Sequence, residues 1–233
     1  MLVIPTYKER DNIVALVRRI RKAAPQEGVF FVDDNSPDGT ADEIRRVQQS
    51  DSCVHLTTRP GKFGYGSACR QAMQQILREK MDDHIIQFDA DLSHPPEMLP
   101  RLMEMLGQYD VVIGSRYIPG GGTQNWDFRR RMLSFSANLY ARSLTGVPVH
   151  DMTAGFVGYR AEILRKLDLD AIRSEGYAFL MEMKFSLHRH GARFGEFPIV
   201  FCERAMGKSK FSQEIMLEGV KFPWKALCRR ITG

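Results

Sequence analysis

No run of about eighteen uncharged apolar residues occurs anywhere in the chain, which argues against a membrane-spanning helix. Cysteine is scarce. The four present (Cys53, Cys69, Cys202, Cys228) stand far apart with no paired spacing, so neither a disulfide framework nor a zinc site is expected, and each is read as a reduced, buried thiol. The glycine-bearing segment 58–66 lacks the Walker pattern G-x-x-x-x-G-K-[ST], and Gly64-Tyr65-Gly66 lacks the third glycine of the dinucleotide fingerprint. A P-loop ATPase and a nicotinamide dehydrogenase are set aside on that ground. Internal repeats and low-complexity linkers are missing. So are RNP, zinc-finger and helix-turn-helix signatures, which counts against nucleic acid as a partner. The residues Met1-Leu2-Val3-Ile4-Pro5 meet polar sequence at once and do not read as a signal peptide, so a cytoplasmic location is expected.

What remains is a chain of 233 residues with 43% hydrophobic composition, enough to fill one core, and a single domain over 1–233 is expected. The net charge of +5 calls for an anionic partner, and a nucleic acid, a lipid head group and a phosphorylated small molecule all fit it. Basic residues cluster at 129–131, 204–210 and 221–230.

The first half alternates short apolar runs with helical periods, the mark of βαβ units and a mostly parallel sheet with helices on both faces. Strands are expected at 2–4, 29–32, 54–56, 84–88 and 111–113. Between them, Ile13, Leu16, Val17 and Ile20 recur at helical spacing, Thr40 and Glu43 read as a capping box, and helices are expected at 66–80 and 97–106. The second half opens with a polar loop at 115–127. Helices are expected at 130–144, 161–167 and 179–190, then a strand at 194–201, a basic loop and a last helix at 213–229. A nucleotide-sugar half (1–114) followed by an acceptor half (115–233) suits this layout.

Polar clusters follow three of these strands: Tyr7-Lys8-Glu9, Asp33-Asp34 and Asp89-Ala90-Asp91. In an open α/β sheet such positions converge on the crevice where ligands bind. Turn-making and helix capping account for Asp33-Asp34 about as well as ligand binding does. The spacing of Asp89 and Asp91 behind a buried strand favours one hard divalent cation and, through it, a diphosphate. Tyr7 offers a stacking face, with plain core packing as the alternative. Arg116, Arg129 to Arg131, Arg204, Lys208 and Lys210 supply the cations that phosphate oxygens need.

The segments 5–12, 32–40, 89–97 and 114–117 resemble the inverting family-2 glycosyltransferases of GT-A fold, and 125–134, 151–156 and 207–210 resemble their polyprenol-phosphate (dolichol-phosphate) mannosyltransferase branch. The resemblance spans essentially the whole chain. It implies transfer of mannose from GDP-mannose to a polyprenyl phosphate of dolichyl type. Pro5, Tyr7, Glu9, Val32 and Asp34 would hold guanosine, with Ala90 contributing backbone. Asp89 and Asp91 would bind Mg²⁺ or Mn²⁺, and Ser93 stands where some relatives place a glutamine near the metal. Arg116, Arg204 and Lys210 would meet the diphosphate, and Arg130 and Ser134 the acceptor phosphate. The same architecture also suits UDP-glucose or another nucleotide sugar. The last helix mixes Val220, Phe222, Trp224 and Leu227 with Lys221, Lys225, Arg229 and Arg230. It therefore suits either the chain's own core or the cytoplasmic face of a membrane, with peripheral association and with an accessory membrane subunit left open.

Overall fold

The computed structural model describes residues 1–202 and 213–231. In chain order the elements are β1 (Leu2–Thr6), α1 (Arg10–Ala23), β2 (Val29–Asp33), α2 (Thr40–Gln48), β3 (Val54–Thr58), α3 (Tyr65–Glu79), β4 (His84–Gln87), α4 (Leu99–Leu106), β5 (Val111–Ser115), β6 (Gly122–Gln124), α5 (Phe128–Thr145), β7 (Val157–Arg160), α6 (Ala161–Leu164), α7 (Gly176–Arg189), β8 (Phe194–Pro198), β9 (Val200–Cys202) and α8 (Gln213–Ile231). Seven strands form one sheet in the order β3-β2-β1-β4-β7-β5-β8. All run parallel except β7, which lies antiparallel between β4 and β5.

β1, β2 and β5 are mostly apolar and buried because both sheet faces are covered there. Val3, Phe30, Val32, Ile85, Val111 and Ile113 face a core built with α3, α6, α7 and α8. Their neighbours Leu2, Ile4, Val29, Phe31, Ile86 and Val112 face a second core built on α1, α2 and α4. The helical stripe of Ile13, Leu16, Val17 and Ile20 is buried in that second core, as its spacing requires. Gly158 lets α4 pack close on the sheet, since a Cβ there would lie 2.4 Å from Leu102 Cδ2 and the Leu102 side chain would have to shift.

Several local expectations are corrected. The run 194–201 is not one strand. β8 pairs with β5, Ile199 bridges the Ser115 carbonyl and the Gly122 amide, and β9 then joins β6 in a separate parallel ribbon. The supposed polar loop 115–127 supplies that ribbon's other strand. Thr40 and Glu43 form no capping box: α2 begins on Gly39 without a side-chain cap, while the Thr40 hydroxyl donates to Asp38 and accepts from the Glu9 amide. That bond ties the end of β1 to the loop after β2. Residue 114 lies inside β5, and strands from before and after it share the one sheet. All four cysteines are free thiols, but only Cys69 is buried as expected; Cys53 and Cys202 are half-buried and Cys228 is exposed.

Candidate active site

A proline in a central strand opens the crevice. Even-numbered residues of β1 bond to β2, as Leu2 and Thr6 do, and odd-numbered ones to β4, through the Met1 and Val3 carbonyls. Pro5 has no N–H to continue the β4 ladder, so the β1–β4 register ends at Val3 paired with Gln87, while β1 and β2 stay paired through Pro5–Val32 and Thr6–Asp33. Beyond Phe88 the chain parts from β1, and Asp89-Ala90-Asp91 occupies the divergence.

The two aspartates are held differently. Asp89, 27% exposed at its side chain, accepts from the Tyr65 hydroxyl at 3.0 Å and lies 3.2 Å from His94 Nε2. Burial and the Asp89 charge raise the Tyr65 phenol well above its ordinary range, so it stays a proton donor to that carboxylate. Asp91 is buried and accepts the Ser93 amide at 3.1 Å. Ser93 and His94 follow in the same turn, both buried, and the Ser93 hydroxyl and His94 Nδ1 have no hydrogen-bond partner. Two carboxylates beside an orphaned buried hydroxyl are an oxygen-rich donor set that a hard divalent cation would complete. Among the described residues the one group of three His, Cys, Asp or Glu side chains with ligand atoms within 4.8 Å of one another is a different one, Glu27, Asp82 and His84. It sits at the opposite, amino-terminal end of the strands, where the Met1 ammonium already lies 2.5 Å from Glu27 and 2.6 Å from Asp82.

The pair after β2 divides its labour. Asp33 is a turn residue, accepting from Thr6, from the Ser36 amide and from the Ser36 hydroxyl. Asp34, 5% exposed, accepts the Phe63 and Gly64 amides on Oδ2 and faces Arg59 Nη1 at 2.8 Å on Oδ1. It therefore fixes the 59–64 loop against the crevice. Tyr7 is half-buried with Lys62 Nζ 4.6 Å above its ring, and the Glu9 carboxylate accepts from Asn12. The glycine loop does not leave the N-terminus of α3 open to phosphate. The Gly66 and Ser67 amides donate to the Glu175 carboxylate at 2.7 and 2.9 Å, a partner 109 residues away in sequence from Gly66. Burial raises the Glu175 carboxyl above its usual range, against the pull of Arg70 and of those amides.

Arg116 is not the open phosphate clamp expected of it. The residue is 8% exposed, and its Nε and Nη2 each lie 2.7 Å from Asp151, while Nη2 also reaches Thr153 Oγ1 at 2.8 Å. Burial works to raise the Asp151 carboxyl, but the Arg116 charge and its hydrogen bonds outweigh it and hold the group below its ordinary value. Around this pair lie the rings of Tyr117, Trp126 and Phe201. Arg130 lies 4.1 Å over the Trp126 ring, and Ser134, one turn on in α5, accepts from the Tyr117 hydroxyl at 2.6 Å. Arg130 and Ser134 thus share a helix face beside Asn138, which bonds to Thr153. Arg204, Lys208 and Lys210 lie outside the described residues. Tyr65, His94, Asn138 and Glu175 escaped the sequence reading. Only His94, beside the aspartates, carried a local signal.

A switch-point crevice with paired aspartates at the strand ends defines a sugar transferase of the GT-A type. A family model described as glycosyl transferase family 2 matches residues 1–168, and the chain belongs to that family. An undecaprenyl-phosphate mannosyltransferase of Micrococcus luteus is 44% identical over 220 residues, covering 94% of this chain and 90% of that protein. A polyprenol monophosphomannose synthase of Mycolicibacterium smegmatis is 43% identical over 216 residues, covering 91% and 80%. The fold also matches glucosyl-3-phosphoglycerate synthase from Mycobacterium tuberculosis, solved with Mn²⁺ and UDP-glucose. That match has a TM-score of 0.68 at 16% identity and covers 98% of this chain and 77% of that one.

Proposed function

We propose that the protein transfers mannose from GDP-mannose to the phosphate of a polyprenol, inverting the anomeric carbon. The two near-full-length relatives at 44% and 43% identity support the mannosyl group and the polyprenyl-phosphate acceptor, and the resemblance of segments 5–12 and 32–40 supports the guanosine donor. The crevice opened by Pro5 carries the chemistry. Asp89 and Asp91, with the Ser93 hydroxyl, hold Mg²⁺ or Mn²⁺, which when bound supplies positive charge to the leaving diphosphate. Pro5, Tyr7, Glu9, Val32 and Asp34, at the ends of β1 and β2, would hold guanosine, with Ala90 contributing backbone. The acceptor phosphate meets Arg130 and Ser134, and Arg204 and Lys210 serve the donor diphosphate. Arg116 acts as a positioning residue, setting Asp151 and Thr153 in the wall.

The acceptor needs little activation. A phosphate monoester has a second pKa near 6 and is mostly dianionic at neutral pH, so no strong general base is required. Charge is the harder problem, because two unit negative charges about 4 Å apart repel by roughly 4 kcal/mol at an effective dielectric of 20. The residues of this site lower that barrier chiefly by orienting the two anions and by placing cations beside each. A polyprenyl chain partitions into lipid, so transfer takes place at a bilayer, with the protein attached peripherally. No helix among the described residues is long and apolar enough to cross one.

The test offers radiolabelled GDP-mannose, UDP-glucose and UDP-GlcNAc with a polyprenyl phosphate, with and without divalent cations. Label should pass to the lipid from GDP-mannose and only with the cation. Transfer from UDP-glucose instead would reassign the donor, and no transfer from any would overturn the reading.

A further inference from the structure

A buried length of irregular chain runs between Arg116 and the aspartate pair. Residues 152–155 belong to no helix or strand, yet Met152 and Ala154 are both buried. The segment is pinned at its two ends. Before it, the His150 and Asp151 amides donate to the Glu196 carboxylate of β8 at 2.9 and 3.2 Å. After it, the Phe156 carbonyl accepts the Gly114 amide of β5 at 2.9 Å. Buried backbone outside a ladder must still find partners for its carbonyls. Those of Met152 and Ala154 accept from the Lys184 ammonium of α7 at 3.2 and 3.0 Å. The Leu180 carbonyl, one turn back on α7, accepts from it at 3.4 Å, which uses all three of its N–H donors.

Lys184 is the only buried lysine among the described residues. Burial pulls its ammonium down to about 7, with the Asp151 charge resisting. A methionine of similar length would fill the same space without that penalty, but could not hold two carbonyls. What the carbonyls fix is the other edge of the segment. Thr153, between them, accepts from Arg116 Nη2 on Oγ1 at 2.8 Å, and its amide donates to Asn138 Oδ1 at 3.2 Å. Gly155, next after Ala154, runs beside the aspartates. A Cβ there would lie 3.3 Å from Asp89 Oδ2, 3.3 Å from the Tyr65 hydroxyl and 3.4 Å from His94 Nε2.

We infer that Lys184 is a positioning residue for both walls of the crevice: by gathering two alternate carbonyls, it sets Thr153 against Arg116 and the Gly155 backbone against Asp89. Its three hydrogen bonds all go to backbone carbonyls, so it acts on the chemistry through this segment. The inference deepens the proposed transfer and rests on it for the substrates and the cation; the fixing of the segment does not depend on it.

Lys184→Met keeps the length of the side chain and removes its donors. The desolvation penalty it relieves offsets the hydrogen bonds it gives up, so its melting temperature should equal or exceed that of wild type. Hydrogen exchange of the Thr153 amide should speed up about ten-fold, since its bond to Asn138 is no longer held from behind. The kcat/KM for GDP-mannose should fall about ten-fold, and Mn²⁺ affinity, read by electron paramagnetic resonance, should weaken by a similar factor. Lys184→Gln, which retains an N–H donor, should recover part of each loss and stands in if the methionine variant fails to fold. Wild-type exchange, kinetics and Mn²⁺ affinity in the methionine variant, or in the glutamine variant where it stands in, would overturn the inference. So would losses that merely follow a lowered melting temperature. A wild type that neither binds Mn²⁺ nor transfers mannose sinks the proposed function, and Thr153 exchange then decides on its own whether Lys184 holds the segment.

Discussion

Replacing Asp151 by asparagine strikes a heavily bonded buried charge beside the site. The carboxylate is fully buried and receives three hydrogen bonds from Arg116, from its amide, Nε and Nη2. Asparagine keeps the shape but removes the charge, leaving the Arg116 guanidinium and the Lys184 ammonium buried together. Breaking a buried pair by removing one partner costs about 3–5 kcal/mol, because the surviving charge stays desolvated. For a chain of this size each kcal/mol shifts the melting temperature by roughly 2–4 °C, so a fall of about 6–20 °C is expected by calorimetry. The carboxyl is depressed in the fold, so its stabilisation is present above its unfolded pKa and fades as pH falls through the folded one. The deficit of the variant should accordingly shrink in acid. A loss under about 1 kcal/mol at neutral pH would refute the reasoning. It would mean that the Arg116–Asp151 pair contributes no more than a surface ion pair.

Asp89→Ala and Asp91→Ala should each abolish turnover with circular dichroism unchanged; normal activity in either removes the metal assignment. Arg130→Ala should raise the KM for the lipid phosphate with little change for GDP-mannose, since the side chain is exposed and stacks on Trp126. Gly66→Ala should destabilise by about 1–3 kcal/mol in urea titration, because its Cβ would lie 2.7 Å from the Ser174 carbonyl and 2.9 Å from Phe179. Lys184 stands near 7 in the fold against an ordinary 10.5, so its burial penalty is full below the lower value and gone above the higher. The stability advantage of Lys184→Met over wild type should therefore shrink between pH 7 and pH 10.5.

The sheet was legible where strands carry short apolar runs, most of them buried on both faces. β1, β2, β3, β4 and β5 are short apolar runs separated by helical periods, and no other pattern produces that alternation. β7 was not legible. Four residues with Gly158 in the middle look like a turn, and the glycine is explained only by Leu102 of α4, more than fifty residues earlier. The Thr40 hydroxyl was misread for a similar reason, since its partner Glu9 belongs to another strand's loop. Within the site, Asp89 and Asp91 announced themselves by lying directly behind a strand. The commitments of their neighbours did not. Whether Asp34 faces a ligand or pins a loop depends on Phe63 and Gly64, and whether Arg116 is an open cation depends on Asp151, partners that only folding brings near. Glu175 at the start of α3 shows the same limit, because nothing in its own segment marks it as another helix's cap.

The measurement nearest the centre is the initial rate of mannose transfer from GDP-mannose to a polyprenyl phosphate after chelation, followed by back-titration with Mn²⁺, in wild type and in Asp91→Asn. Wild type should recover its rate with the ion and the variant should stay inactive at every concentration. Transfer that survives chelation, or an asparagine variant that works as well as wild type, would contradict the account.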